Sequence, residues 1–158
     1  MDELAKKVGG RLKAAGAQLV TAESCTGGWV AQAVTAIAGS SSWFERGFVT
    51  YSNDAKQELL GVRKETLEAH GAVSEETARE MADGALKRSK GTIALAVTGV
   101  AGPGGGTPDK PVGMVCFAWA DGKKLRSETR RFSGDRDSVR RQSVIRALQG
   151  VVETLAGG

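Results

Sequence analysis

Ala22-Glu23-Ser24-Cys25-Thr26-Gly27-Gly28 ends an apolar run that begins at Leu19, and an amphipathic segment starts right after it at Trp29. Two hydroxyls and two glycines separate an extended pattern from a helical one. This predicts strand, tight turn and helix, with Ser24 at the carboxyl end of the strand and the amino end of the helix. A helix N-terminus presents exposed N–H groups and the positive end of a dipole, both of which favour negative charge. A serine there has two readings. It is a nucleophile with donors nearby for a developing oxyanion. Alternatively Ser24 or Thr26 is only an N-cap, a common duty of Ser and Thr.

The flanking sequence extends the pattern. Leu4, Val8, Leu12 and Ala15 form a helical stripe over residues 2–15, stopped by Gly16 and weakened in the middle by Gly9-Gly10. Val30, Ala33, Val34 and Ile37 mark one face of a helix over 28–38, and residues 44–51 read as an aromatic and β-branched strand. Ser52-Asn53-Asp54 gives a turn and cap before a short helix over 54–60, closed by Gly61. Lys56 falls in its first turn, where the dipole disfavours a cation. A helical stretch over 64–69 leads to Ser74-Glu75-Glu76-Thr77, which opens a helix reaching Arg88. The unbroken apolar run 93–97 reads as a strand buried on both faces, hence central in its sheet. Strands over 112–120 and 124–132 follow, joined by an Asp121-Gly122 hairpin, the second with the polar alternation of an edge. Ser133-Gly134-Asp135 caps a last long helix with Val144, Leu148, Val151, Val152 and Leu155 on one stripe and Arg136, Arg140, Arg141 and Arg146 on its other faces. Alternating strands and helices predict an α/β fold: a three-layer α/β/α sandwich on a mixed, mostly parallel sheet, forming a single domain over 1–158.

Composition narrows the chemistry. A length of 158 residues suits one domain with one substantial core. The net charge of +4 suits an anionic small molecule without demanding nucleic acid. Aromatics are 5% of the chain and interleave with no basic run, so stacking on single strands has no platform. Cys25 and Cys116, the only cysteines, lack metal-ligand spacing and make no disulfide scaffold. No signal peptide and no membrane-spanning apolar run is legible, so a cytoplasmic location with no membrane partner is expected.

The loop from Gly99 to Pro111 is glycine-rich and follows the buried strand, where open α/β sheets place ligands. It lacks the Gly-Lys-Ser/Thr ending of a phosphate-binding P-loop and the dinucleotide fingerprint. It reads either as a ligand loop or as a mobile connection. His70, the only histidine, lies in a surface-like stretch, which leaves a Ser-His-Asp triad hanging on one residue. A lysine with a depressed pKa is the usual substitute base. Lys56 qualifies, since it follows a strand in a first helical turn whose dipole lowers its pKa; its alternative is an ordinary solvated lysine. Cys25 is a rival nucleophile or a small buried residue. One histidine, two scattered cysteines and no carboxylate cluster predict no metal site.

Several stretches resemble the CinA C-terminal domain family. They are Ala22 to Gly28; Gly39-Ser40-Ser41-Ser42-Trp43-Phe44-Glu45-Arg46-Gly47-Phe48-Val49-Thr50-Tyr51-Ser52-Asn53, with Lys56; Gly71-Ala72-Val73-Ser74; Ala96-Val97-Thr98-Gly99-Val100-Ala101-Gly102-Pro103-Gly104-Gly105; and Gly134-Asp135-Arg136 with Val139-Arg140. The motifs occur in order over nearly the whole chain. Longer family members carry an additional N-terminal domain, and this chain resembles the stand-alone form. The resemblance implies a metal-independent, cofactor-free amidase of α/β/α fold, usually a homodimer. Such enzymes hydrolyse nicotinamide mononucleotide to nicotinic acid mononucleotide and ammonia in pyridine nucleotide salvage. It implies a Ser–Lys arrangement that falls on Ser24 and Lys56. Substrate and oxyanion contacts then fall on Cys25, Thr26, Gly27, Tyr51, Thr98, Gly99, Gly102 and Gly104. The phosphate falls to Arg140 or Arg136, unless these arginines are a solvated helix face. Two other readings stand beside this one: a catalytically silent nucleotide-binding module and a competence-associated accessory protein. The modest charge and scarce aromatics speak against direct nucleic-acid binding.

Overall fold

The computed structural model describes residues 1–157. Its elements are α1 (Asp2–Ala15), β1 (Leu19–Glu23), α2 (Trp29–Thr35), a 3-10 turn (Ser40–Ser42), β2 (Phe44–Val49), α3 (Asn53–Leu60), α4 (Lys64–His70), α5 (Glu75–Lys87), β3 (Ile93–Gly99), β4 (Met114–Ala120), β5 (Leu125–Arg131) and α6 (Arg136–Ala156). The sheet order is β2-β1-β3-β4-β5. β2, β1 and β3 pair in parallel, and β4 pairs antiparallel with both β3 and β5. Four strands therefore share one direction and β4 alone is reversed, in a mixed sheet with helices on both sides. The expected elements are all present, with shifted ends. α2 stops at Thr35, short of residue 38, and β2 stops at Val49. Thr50 still donates its N–H to the Glu23 carbonyl at 2.8 Å, but its own carbonyl turns to Lys56 and the chain leaves the sheet.

Strand alternation sorts side chains onto two unlike faces. Leu19, Ile93, Leu95, Val97, Val115, Phe117 and Trp119 pack with residues of α1, α2 and α6. Val20, Ala22, Ala94, Ala96, Cys116, Ala118 and Ala120 pack with Ala78, Met81, Ala82 and Ala85 of α5 and with Leu60. The second face is built of small residues, so α5 lies close. A β-carbon at Gly84 would sit 1.8 Å from the Leu60 carbonyl oxygen, so only glycine lets α5 pass so close to the end of α3. Fully burying a Leu, Val or Phe side chain contributes roughly 1.5–3 kcal/mol, and this double core fixes β1 rigidly between β2 and β3.

The chain leaves β1 through α2 to reach β2 on one side, then crosses back by α3 to α5 to reach β3 on the other. The connections after β1 and β3 thus diverge. Open α/β sheets bind ligands at such a switch point, outside the carboxyl ends of the strands. Ser24 follows β1 and the glycine loop follows β3 at this crevice. Among the described residues, no helix is long and apolar enough to cross a membrane.

Candidate active site

The turn after β1 is held from several directions. Ser24 N–H donates to the Val97 carbonyl at 3.0 Å, and Gly27 N–H closes onto the Ser24 carbonyl at 3.0 Å. Gly27 and Gly28 have φ of 60° and 105°, left-handed backbone that suits glycine. Neither Ser24 nor Thr26 caps α2. That role belongs to Glu23, a fully buried carboxylate. Its Oε1 accepts from Thr26 Oγ1 at 2.6 Å, Val30 N–H at 2.9 Å and Gly28 N–H at 3.2 Å, and its Oε2 accepts from Ala31 N–H at 3.0 Å. A carboxylate suits the positive end of the helix, and four donors meet the requirement that a buried charge be paired. Thr26 therefore supports the cap without being it, and Ser24 Oγ is left for another partner. The sequence carried a signal for this: a glutamate closing an otherwise uncharged strand.

Lys56 is that partner. Ser52 caps α3 by accepting from Ala55 N–H at 3.0 Å, and Lys56 turns back from the helix toward the sheet. Only 1% of the residue is exposed. Its Nζ lies 3.0 Å from Ser24 Oγ and donates to the carbonyls of Thr50 at 2.9 Å and Tyr51 at 3.4 Å. None of these partners is a carboxylate. Burial holds the Lys56 pKa below its ordinary value of 10.5, and the neighbouring Cys25 opposes this more weakly. The depression expected of the helix dipole thus arises from desolvation. Burial also pushes the Cys25 thiol up to about 12. It stays protonated near neutral pH and is a poor rival nucleophile.

Ser24 and Lys56 open into a cleft of about 290 Å³ lined by Cys25, Tyr51, Asn53, Ala72, Val73, the segment Thr98 to Gly102, Gly104, Gly105 and Arg136. The cleft brings together nine expected residues: Ser24, Cys25, Tyr51, Lys56, Thr98, Gly99, Gly102, Gly104 and Arg136. Asn53, Ala72, Val73, Val100, Ala101 and Gly105 also line it. They lie within stretches that carry the family resemblance, but no role falls on them from the sequence. The glycine loop is tied down. Arg136 Nη1 donates to the Gly102 carbonyl at 2.7 Å and Nη2 to Tyr51 Oη at 3.3 Å. Lys110 Nζ donates to the carbonyls of His70, at 2.8 Å, and Val73. Thr98 Oγ1 donates to the Ala72 carbonyl at 2.9 Å.

Three expected residues lie outside the cleft lining. Thr26 is fully buried behind it, and Gly27 completes the turn. Arg140 donates from Nε to the Cys25 carbonyl at 3.1 Å and from Nη2 to the Thr26 carbonyl at 3.0 Å. His70 is likewise outside, its Nδ1 3.3 Å from Glu76 at the surface. Among the described residues, no three His, Cys, Asp or Glu side chains gather as a metal site.

Fold and site together define a class: an α/β/α protein whose buried serine and lysine meet at the switch point of the sheet, under a tethered glycine loop. The family model of the CinA C-terminal domain matches residues 1–155, and the chain belongs to this family. It is 59% identical over 149 residues to the nicotinamide-nucleotide amidohydrolase PncC of Escherichia coli strain K12, covering 93% of this chain and 90% of that protein. It is 52% identical over 150 residues to the protein of the same name from Pseudomonas putida, covering 95% and 94%. Its fold matches the crystal structure of the competence/damage inducible protein CihA from Agrobacterium tumefaciens with a TM-score of 0.94 and 47% identity, over 96% of this chain and 93% of that one.

Proposed function

We propose that this chain is a nicotinamide-nucleotide amidohydrolase that converts nicotinamide mononucleotide and water to nicotinic acid mononucleotide and ammonia, in pyridine nucleotide salvage. The observation that carries the reading is the 3.0 Å approach of Lys56 Nζ to Ser24 Oγ in a buried site with no carboxylate beside the amine. The relatives named for this activity, at 59% and 52% identity over most of the chain, support the same substrate.

The chemistry follows from the residues present. As a neutral amine, Lys56 keeps two N–H bonds on the Thr50 and Tyr51 carbonyls and aims its lone pair at Ser24. Ser24 Oγ attacks the carboxamide carbon while its proton passes to Lys56. The carbonyl oxygen becomes an oxyanion beside the backbone amides that follow Ser24 and the Thr98-Gly99 turn. The carbon–nitrogen bond breaks as Lys56 returns the proton to the leaving nitrogen, and ammonia departs. Water then attacks the ester and gives its proton to Lys56. The bond to Oγ breaks, and Ser24 takes the proton back. Arg136 and the amides of Gly102 and Gly104 receive the 5′-phosphate, with Tyr51 flanking the nucleotide. The working form is read as a cytoplasmic homodimer; Val49, Tyr51 and Leu59, large apolar residues left exposed, support the dimer.

A coupled ammonia assay on the purified protein tests this. Ser24→Ala and Lys56→Ala are each expected to lower turnover on the order of 10³-fold or more with the fold retained by circular dichroism. Full activity in either variant removes the dyad. Tight calorimetric binding of the nucleotide by the wild type with no ammonia release favours a binding module instead.

A further inference from the structure

We propose that Arg140 is a positioning residue of the nucleophile turn, one that orients the Cys25 amide as an oxyanion donor, and that it is not a phosphate ligand. This rests on the amidase reading only for the identity of the substrate. The amides near Ser24 are mostly engaged. Ser24 N–H bonds Val97, Gly27 N–H bonds Ser24, Trp29 N–H bonds Thr26, and Gly28 and Val30 N–H bond Glu23. Among the described residues, the N–H groups of Cys25 and Thr26 have no acceptor outside their own residues. Thr26 is fully buried behind the cleft, so the Cys25 N–H is the local donor left for an oxyanion.

Peptide geometry says what aims it. In a trans peptide the carbonyl and the following N–H point in opposite directions. Arg140 Nη2 on the Thr26 carbonyl therefore sets the Gly27 N–H on the opposite side of that peptide. Gly27 N–H bonds the Ser24 carbonyl, which in turn aims the Cys25 N–H, and Cys25 lines the cleft. Arg140 Nε on the Cys25 carbonyl holds the middle of the turn. One planar guanidinium reads two successive carbonyls, a fork that a lysine ammonium reproduces poorly. Trp29 holds the fork in place: the Arg140 guanidinium carbon lies 5.4 Å from its ring centroid. Arg136, whose guanidinium lines the cleft, is left as the arginine that meets a bound anion.

The experiment separates positioning from phosphate binding. Arg140→Ala, Arg140→Lys and Arg136→Ala are compared on nicotinamide mononucleotide and on the phosphate-free nicotinamide riboside. Reaction of Ser24 with a fluorophosphonate is followed in parallel; there the Oγ–P bond forms as fluoride leaves, and the phosphoryl oxygen uses the same donor. Losing one oxyanion donor lowers turnover about 10²–10³-fold, and misaiming one is expected to lower kcat about 10- to 100-fold. For Arg140→Ala the same factor is expected on both substrates, with little change in KM and with slower labelling. Arg140→Lys should recover part of the loss. A defect confined to KM and to the phosphorylated substrate overturns the proposal, as does unchanged kcat with unchanged labelling. If Arg140→Ala fails to fold, Arg140→Lys decides by the same measures. Wild-type protein that labels at Ser24 yet releases no ammonia refutes the amidase reading alone, and the labelling rates still judge Arg140.

Discussion

Lys56 and Arg146 are both buried cations, 1% and 7% exposed, and they have opposite surroundings. Arg146 meets Glu128 at 2.7 and 2.8 Å and Glu153 at 2.7 and 2.9 Å. It lies with Arg126 against Trp119, their guanidinium carbons 5.2 and 4.3 Å from the ring centroid. Glu128 foremost and then Glu153 raise its pKa, and Arg146 in turn lowers theirs. Lys56 meets only neutral oxygens, and burial lowers its pKa. Desolvation disfavours both charges. Where carboxylates offset it, the charge is locked and the residue becomes a brace between α6 and β5. Where they are missing, the proton is loosened, and the proposed mechanism uses the residue as a base.

The largest effect should come from removing the loosened amine. Lys56→Met is expected to lower kcat on the order of 10³-fold or more. In the wild type, kcat/KM should rise with pH along a limb lying below 10.5, because the neutral amine is the active form in the proposed mechanism and its pKa is depressed. A pH–rate profile checks both, and a limb that survives in the residual activity of the variant would assign it to another group. The next effect belongs to the brace. Arg146→Met leaves Glu128 with Arg130 at 2.8 Å and Glu153 with Arg126 at 3.3 Å. Breaking a buried pair costs about 3–5 kcal/mol; the Glu128 and Glu153 side chains are 22% and 49% exposed and keep these partners, so about 2 kcal/mol is expected from urea unfolding. The sign with pH is set by the carboxylates. Their folded pKa values are lowered, so their contribution is present above the unfolded carboxylate range and lost as pH falls through the folded values. Arg146→Met should therefore flatten the decline of stability on acidification, and a decline of unchanged slope would locate acid sensitivity elsewhere.

How much of this was legible in the sequence depends on whether the information is local. The strands and helices were, because apolar periodicity is local, and the uninterrupted run at 93–97 announced a central strand. The Ser24 turn and the glycine loop were legible as places, since strand ends and glycines mark them. Partnerships were not. Glu23 and Thr26 both sit at the turn, but which of them caps α2 depends on where the helix amides point in space. Arg136 and Arg140 lie one helical turn apart and look equivalent as sequence, yet one reaches Gly102 and the other the Cys25 and Thr26 carbonyls. Lys56 was legible as anomalous. Its burial, which lowers its pKa, comes from the packing of α3 on the sheet and could not be read from a lysine set between Ala55 and Gln57.

The smallest effect is the most discriminating. Lys56→Met should change stability at neutral pH by no more than about 1 kcal/mol, because two opposing effects nearly cancel. The substitution removes a buried cation whose charge the fold disfavours, but it leaves the Thr50 and Tyr51 carbonyls without a donor, each worth about 1 kcal/mol. The pH dependence separates the two. In the wild type, the unfolded chain holds the lysine proton up to about 10.5, while the folded chain releases it at lower pH. Between those values the unfolded state binds more protons, so wild-type stability rises with pH. Below the folded value both states are protonated and the penalty is complete; above the unfolded value both are neutral and it is gone. The methionine variant has no such proton to lose. Urea unfolding between neutral pH and 10.5 should show the wild type gaining on the variant as pH rises. A pH-independent gap, or a loss as large as that of Arg146→Met, would mean that Lys56 is held as a charge and serves as a second brace. A gap that opens with pH, beside a severe loss of turnover, means that the fold tolerates the buried amine for the sake of its lone pair.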